Sequence, residues 1–216
     1  MKKKLFVYLV TIFFLLFNTN HVFPEINNSV IISVGKYPIT RLDLFKEIKL
    51  IAILSGGQIT EQNKNQIKEL AVQSLIKKAI KTSEIEKRKI ERYNKKDLDQ
   101  MILGTAKNLG LDKKGLKALL ENNNLSYEKL VEKFTIDLKW NSMIFKIYKN
   151  KISLNTLEIE NKLNLQLKNL DNKDKSEKKI EAIKESIVNQ EKNKKLMMFS
   201  NSHYSSVERI TQIKFL

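Results

Sequence analysis

Apolar residues recur every three to four positions along most of this chain, and they alternate or run as β-branched stretches only near its two ends. Val30, Ile31, Ile32, Ser33 and Val34 predict a strand that runs into a turn at Gly35, Lys36, Tyr37 and Pro38. Thr40 stands three residues before Asp43, ahead of the periodic set Leu44, Phe45, Ile48, Ile51 and Ala52. That is a capping box leading into an amphipathic helix, which Gly56 and Gly57 stop. Thr60 is read as the cap of a second helix with an apolar face at Ile67, Leu70, Ala71, Leu75, Ala79 and Ile80. From Lys77 to Lys96 the pattern thins into a charged stretch.

Asn94 with Asp97 starts a helix through Leu98, Met101 and Ile102 that Gly110 ends, and Asp112 opens a short one with Leu116, Leu119 and Leu120. Ser126 caps the next, which carries Leu130, Val131, Phe134, Leu138, Trp140, Phe145 and Tyr148. Another begins near Asn155 with Leu157, Leu163 and Leu167. After the polar, mixed-charge stretch 169–179, a long helix returns through Ile180, Ile183, Ile187, Leu196, Val207 and Ile210. Ile213 and Phe215, two apart, predict a terminal strand able to pair with Val30 to Val34. Both prolines, Pro24 and Pro38, precede the first helix, so nothing interrupts those that follow. The pattern therefore predicts a mainly α fold with a small sheet made by the N- and C-terminal strands.

The N-terminus changes the picture. Lys2, Lys3 and Lys4 precede an apolar run from Leu5 to Phe17 and a polar exit, so residues 1–24 read as a secretory signal peptide. The run is shorter than the roughly 20 residues of a membrane-spanning helix, although no A-x-A cleavage site stands before Glu25 and an uncleaved anchor is the alternative. The net charge is +16, three of it in the leader. Such a charge suits nucleic acid or an anionic membrane, yet lysines are spread over every segment and export removes nucleic acid as a partner. The absence of cysteine rules out a lipid anchor.

Catalytic chemistry finds no foothold in the sequence. No glycine-rich phosphate loop is present, which speaks against ATP or a nucleotide cofactor. His21 and His203 stand apart, so no metal site or histidine-based triad assembles, and His203 reads as a surface or capping residue. Carboxylates interleave with lysines as surface pairs. No cofactor and no enzyme activity are expected. The candidate contact residues are adaptable apolar side chains, namely Met101, Trp140, Met143, Phe145, Tyr148, Met197, Met198 and Phe199. Each also fits a core position, but consecutive Met197 and Met198, beside Leu196 and Phe199, make a belt wider than one buried stripe needs.

In the order of its parts the stretch from Val30 to about Leu163 resembles the N-terminal domain of the SurA family of periplasmic chaperones. The likeness runs through the strand, turn and capped helix at Val34 to Leu44 and the apolar helix Ile67 to Ile80. It continues with Asp97, Leu98 and Met101, then Leu111, Leu116 and Leu120, the Ser126 to Leu138 helix, and the exit at Ile152 to Ile159. Glu191 to Leu216 resembles the helix and strand that close the same chaperone core. Between Leu163 and Ile180 there is no room for the parvulin-type prolyl isomerase domain that family members commonly carry. The resemblance implies a helical domain over 25–168, a polar connection over 169–179, and a helix and strand over 180–216 completing one core. It further implies an ATP-independent periplasmic holdase for unfolded outer-membrane or secreted polypeptides. An envelope adaptor docking one folded partner is the rival reading, and a prolyl isomerase is disfavoured.

Overall fold

Gly35 makes the first reversal of the chain: its φ of +56° belongs to the left-handed region that a tight hairpin loop demands and a Cβ resists. Across Gly35 and Lys36, strand β1 (Val30–Val34) pairs antiparallel with β2 (Tyr37–Thr40), with Val34 opposite Tyr37. The predicted four-residue turn is thus only two residues long, and Tyr37 and Pro38 return to the ladder. Pro38 is tolerated because β2 is an edge strand. The computed structural model describes residues 28–168 and 176–216; the expected leader, and residues 169–175 of the expected connection, lie outside the described residues.

Among the described residues, helices α1 (Arg41–Leu54), α2 (Lys64–Lys87), α3 (Lys95–Asn108), α4 (Lys113–Asn122), α5 (Tyr127–Tyr148), α6 (Thr156–Lys168) and α7 (Glu177–Ile210) follow. The chain ends in β3 (Ile213–Phe215), antiparallel to β1 with Ile32 opposite Phe215, so the strand order is β2-β1-β3. The mainly α fold with a sheet drawn from both chain ends is as the pattern predicts. None of the described helices is long and apolar enough to cross a membrane.

Capping chemistry sets most helix starts. Thr40 Oγ1 accepts from the Asp43 N–H at 3.1 Å while the Asp43 carboxylate accepts from the Thr40 N–H at 3.0 Å. Asn94, Asp112 and Ser126 cap α3, α4 and α5 by a single bond each, their side-chain oxygens accepting from the Lys96, Gly115 and Lys129 N–H groups. Thr60 does not cap α2. Asn63 Oδ1 accepts from the Thr60 N–H and Asn63 Nδ2 donates to the Gln58 carbonyl, at 2.7 and 2.9 Å. These local bonds hold a turn that delays the helix to Lys64. The charged stretch after Lys77 is also helical, because Ala79, Ile80 and Ile85 continue the buried stripe. It stops where Lys89 takes a φ of 53°.

Three apolar clusters form the core. Leu50, Ile102, Ala106, Leu116, Leu120 and Leu130 join α1, α3, α4 and α5. Ile32, Val34 and Ile39 of the sheet close on Ala79 and Ile80 of α2, with Tyr204 and Val207 of α7 beside them. Ile85, Trp140, Met143 and Ile144 join α2 to α5 and receive Leu196 and Phe199 of α7. Helix α2, about 36 Å long at 1.5 Å per residue, runs through the last two clusters. Phe45 and Leu70, read as core, are each 46% exposed; Leu50, outside the predicted face of α1, is buried instead. The buried residues of α1 are Glu47, Leu50 and Ala52, and Glu47 can be buried because it finds the half-buried Lys133 on α5.

Candidate functional site

The junction of α5 and α7 gathers most of the residues singled out from sequence. Trp140 and Met143 are fully buried, and Trp140 Nε1 donates to Ser200 Oγ at 2.8 Å. They are core rather than contact residues: their apolar surface is already spent on Ile85, Ile144, Leu196 and Phe199. At the rim of this cluster Tyr148 and Phe199 stack with ring centroids 4.7 Å apart and planes 5° apart, both rings half-buried. Phe145, Met197 and Met198 stand outside it, 52%, 61% and 59% exposed. Successive α7 residues diverge by about 100°, so Met197 and Met198 spread over the solvent side while Phe199 and Leu196 turn inward. Met101 lies apart on α3, half-buried.

The structure adds exposed apolar residues that the pattern did not single out for contact. Leu157 and Leu165 on α6 are 64% and 62% exposed, and Ile210, Phe215 and Leu216 at the chain end still more so. Their signal in the sequence is weak, since each sits at a spacing that a buried face would also produce. Helix α6 leans on α7 through buried Ile159 and Ile187 and through Lys162, which pairs with Glu158 at 2.8 Å and with Glu191.

Two carboxylates, read from sequence as surface charges, are buried. Glu84 is 6% exposed and holds Arg88 Nε at 3.1 Å, while His203 Nε2 approaches its carboxylate to 3.6 Å. His203 is therefore not a surface residue. Its Nδ1 shares a 3.0 Å hydrogen bond with Tyr148 Oη, and its ring meets the edge of Trp140 at 5.5 Å. Burial first, then the Arg88 cation, push the imidazole below the usual histidine range, against the pull of Glu84. Burial and the bond to Glu208 raise the Tyr204 hydroxyl, which donates to that carboxylate at 2.8 Å.

A depressed histidine is neutral in the fold and takes its proton more readily in the unfolded chain. The stability it contributes is present above the unfolded value, near pH 6.5, and is lost as pH falls from there through the folded value. Thermal melts from pH 7.5 down to 5 are expected to show this loss, and a His203→Gln chain a flatter profile over that window. Identical slopes in the two chains would remove His203 from the account.

The second buried carboxylate, Glu47, accepts from Ser74 Oγ at 2.6 Å and pairs with Lys133, whose Nζ also donates to Ser74 Oγ at 2.8 Å. A serine beside a lysine invites comparison with a nucleophile and its base. Here the lysine Nζ donates to the serine oxygen while the serine hydroxyl donates to Glu47, so the hydroxyl proton is directed away from the lysine. Ser74 lies inside α2, where backbone N–H groups are spent on the helix and none is left for an oxyanion. The trio is a polar clamp joining α1, α2 and α5. Among the described residues no three acidic or histidine side chains gather as a metal site.

The architecture is a clamped helical core closed by one small sheet, with adaptable apolar side chains left in solvent. The chain belongs to the SurA-like family, since the model of the SurA-like N-terminal domain matches residues 1–144, two-thirds of its length. The family points to a chaperone role. A solved structure also matches, from a description of the virulence factor PEB4 and the periplasmic protein Cj1289 as structurally related SurA-like chaperones of Campylobacter jejuni. Sequence identity is 17%, the match covers 88% of this chain and 99% of that one, and the TM-score is 0.41. No curated protein matches.

Proposed function

We propose that the protein is an ATP-independent periplasmic holdase that binds unfolded outer-membrane or secreted polypeptides. The observation that carries this reading is the pair Met197 and Met198, both more than half exposed beside the Tyr148–Phe199 stack on a rigid core. Methionine reshapes to unrelated partners at low cost, and Phe145 adds a broad apolar face nearby along α5. Residues 1–24 supply the export signal in this reading, and 25–168 with 180–216 form one core through the β1–β3 pairing. Without nucleotide to drive release, binding must be modest. A Kd of about 1 μM, reached at about 10⁶ M⁻¹s⁻¹, lets a client leave in about a second. The excess of lysine keeps such an apolar surface soluble and steers acidic segments toward it.

The mature chain, residues 25–216, is expected to slow aggregation of an unfolded outer-membrane β-barrel at equimolar ratio. A chain carrying Met197→Glu and Met198→Glu is expected to lose most of that effect while melting within a few degrees of the parent, since neither side chain is buried. Light scattering that rises equally with and without the parent protein would sink the reading. Capture of one stoichiometric folded partner in place of many precursors would transfer it to an adaptor.

A further inference from the structure

The two edges of the sheet are unlike. In the β1–β3 ladder, Gly35 N–H donates to the Gln212 carbonyl at 2.8 Å and Leu216 N–H to the Ile31 carbonyl at 2.9 Å. With Ser33 opposite Lys214, the alternation of an antiparallel ladder turns the backbone groups of Gln212, Lys214 and Leu216 toward β1. Those of Ile213 and Phe215 therefore point outward, to an edge that no described strand occupies. On the opposite edge, β2 presents Pro38, which has no N–H, and Thr40, whose N–H is taken by the Asp43 carboxylate at 3.0 Å. One edge is closed to pairing and the other is open.

The open edge is also apolar. Ile213 and Phe215 share a face by the two-residue period of a strand; Ile213 packs on the core while Phe215 is 70% exposed, with Leu216 at 75% following it. Lys214, on the other face, is exposed and has no ion-pair partner among the described residues. We propose that the outer edge of β3 is a strand-addition site for an extended client segment that alternates apolar and acidic or neutral residues. The apolar set lies along Phe215 and the polar set meets Lys214. A second copy of this chain is a poorer occupant, because antiparallel pairing of β3 with itself about its centre sets Lys214 against Lys214. The occupant has the alternating pattern of a transmembrane β-barrel strand, and the inference rests on the holdase reading.

Amide hydrogen exchange of the full mature chain tests it, with a synthetic peptide of about seven alternating valine and glutamate residues as probe. Saturating peptide is expected to slow exchange at Ile213 and Phe215 by about tenfold or more, and a version N-methylated along one edge is expected to leave both amides unchanged. Phe215→Pro removes an outward N–H and spares the β1 ladder. It is expected to weaken peptide binding by about tenfold without shifting the melt appreciably. An unfolded β-barrel that is held soluble while Ile213 and Phe215 exchange as in the free protein would overturn this site and leave the holdase reading standing. Failure to slow aggregation at all removes both. Protection of the two amides that grows with protein concentration alone would assign the edge to self-association and overturn the proposal.

Discussion

Replacing Trp140 with alanine is expected to lower the unfolding free energy by about 3–5 kcal/mol, the range for emptying a large aromatic site in a core. Trp140 is 1% exposed and touches every element that meets at the α5–α7 junction. Its indole also holds Ser200 Oγ at 2.8 Å and receives the Lys81 ammonium 5.7 Å from the ring, with Tyr204 edge-on at 6.3 Å. Urea unfolding of the variant should give a lower midpoint with the slope little changed, the mark of lost stability without a new denatured state. Trp140→Phe should recover much of the loss, because it refills most of the void and forfeits the hydrogen bond to Ser200 and the second ring. A loss below about 1 kcal/mol for alanine would mean that the junction collapses onto the void, contrary to a close-packed cluster.

The second large effect belongs to the clamp. Lys133→Met leaves the Glu47 carboxylate, 8% exposed, without its cation and with only Ser74 Oγ as partner. Stranding a buried charge costs about 3 kcal/mol, at the low end of the usual range, because the Lys133 side chain retains 26% exposure to water. The double variant Glu47→Leu with Lys133→Met is expected to lie much closer to the parent than Lys133→Met alone, since an apolar pair of similar volume removes the stranded charge. Chemical denaturation of the parent, the two single variants and the double completes a cycle. Additive losses across it would show that the two groups do not act together.

Those two residues also mark where the sequence could and could not be read. Most helix starts were legible because they are local: Thr40 with Asp43, Asn94, Asp112 and Ser126 each satisfy a donor two or three residues away, whereas Thr60 before α2 does not. The β1–β3 pairing was legible from two short β-prone runs, one at each end of a helical chain. The clamp was not, because Glu47, Ser74 and Lys133 are brought together only by the packing of three helices. His203 looked isolated for the same reason: Tyr148, Glu84 and Trp140 reach it from α5 and α2. Trp140 and Met143 pass for contact residues in a sequence since an adaptable side chain fills a core and grips a partner with the same chemistry. Met197 and Met198 differ from them only in facing solvent, a fact fixed by where α7 meets α5.

The pairing of β1 with β3 bears on when the protein becomes itself. Strands β1 and β2 need only a two-residue loop, and α3 with α4 need only their own neighbourhood. The middle strand of the sheet, however, waits for residues at the far end of the chain. Closing so long a loop is slow and is rewarded only once the contact is made. A chain emerging N-terminus first can shape its helices early but cannot shut the sheet until Ile213–Phe215 arrive. Helix formation and closure of the sheet are thereby separated in time, and Ile213–Phe215 act as the fastening of the sheet.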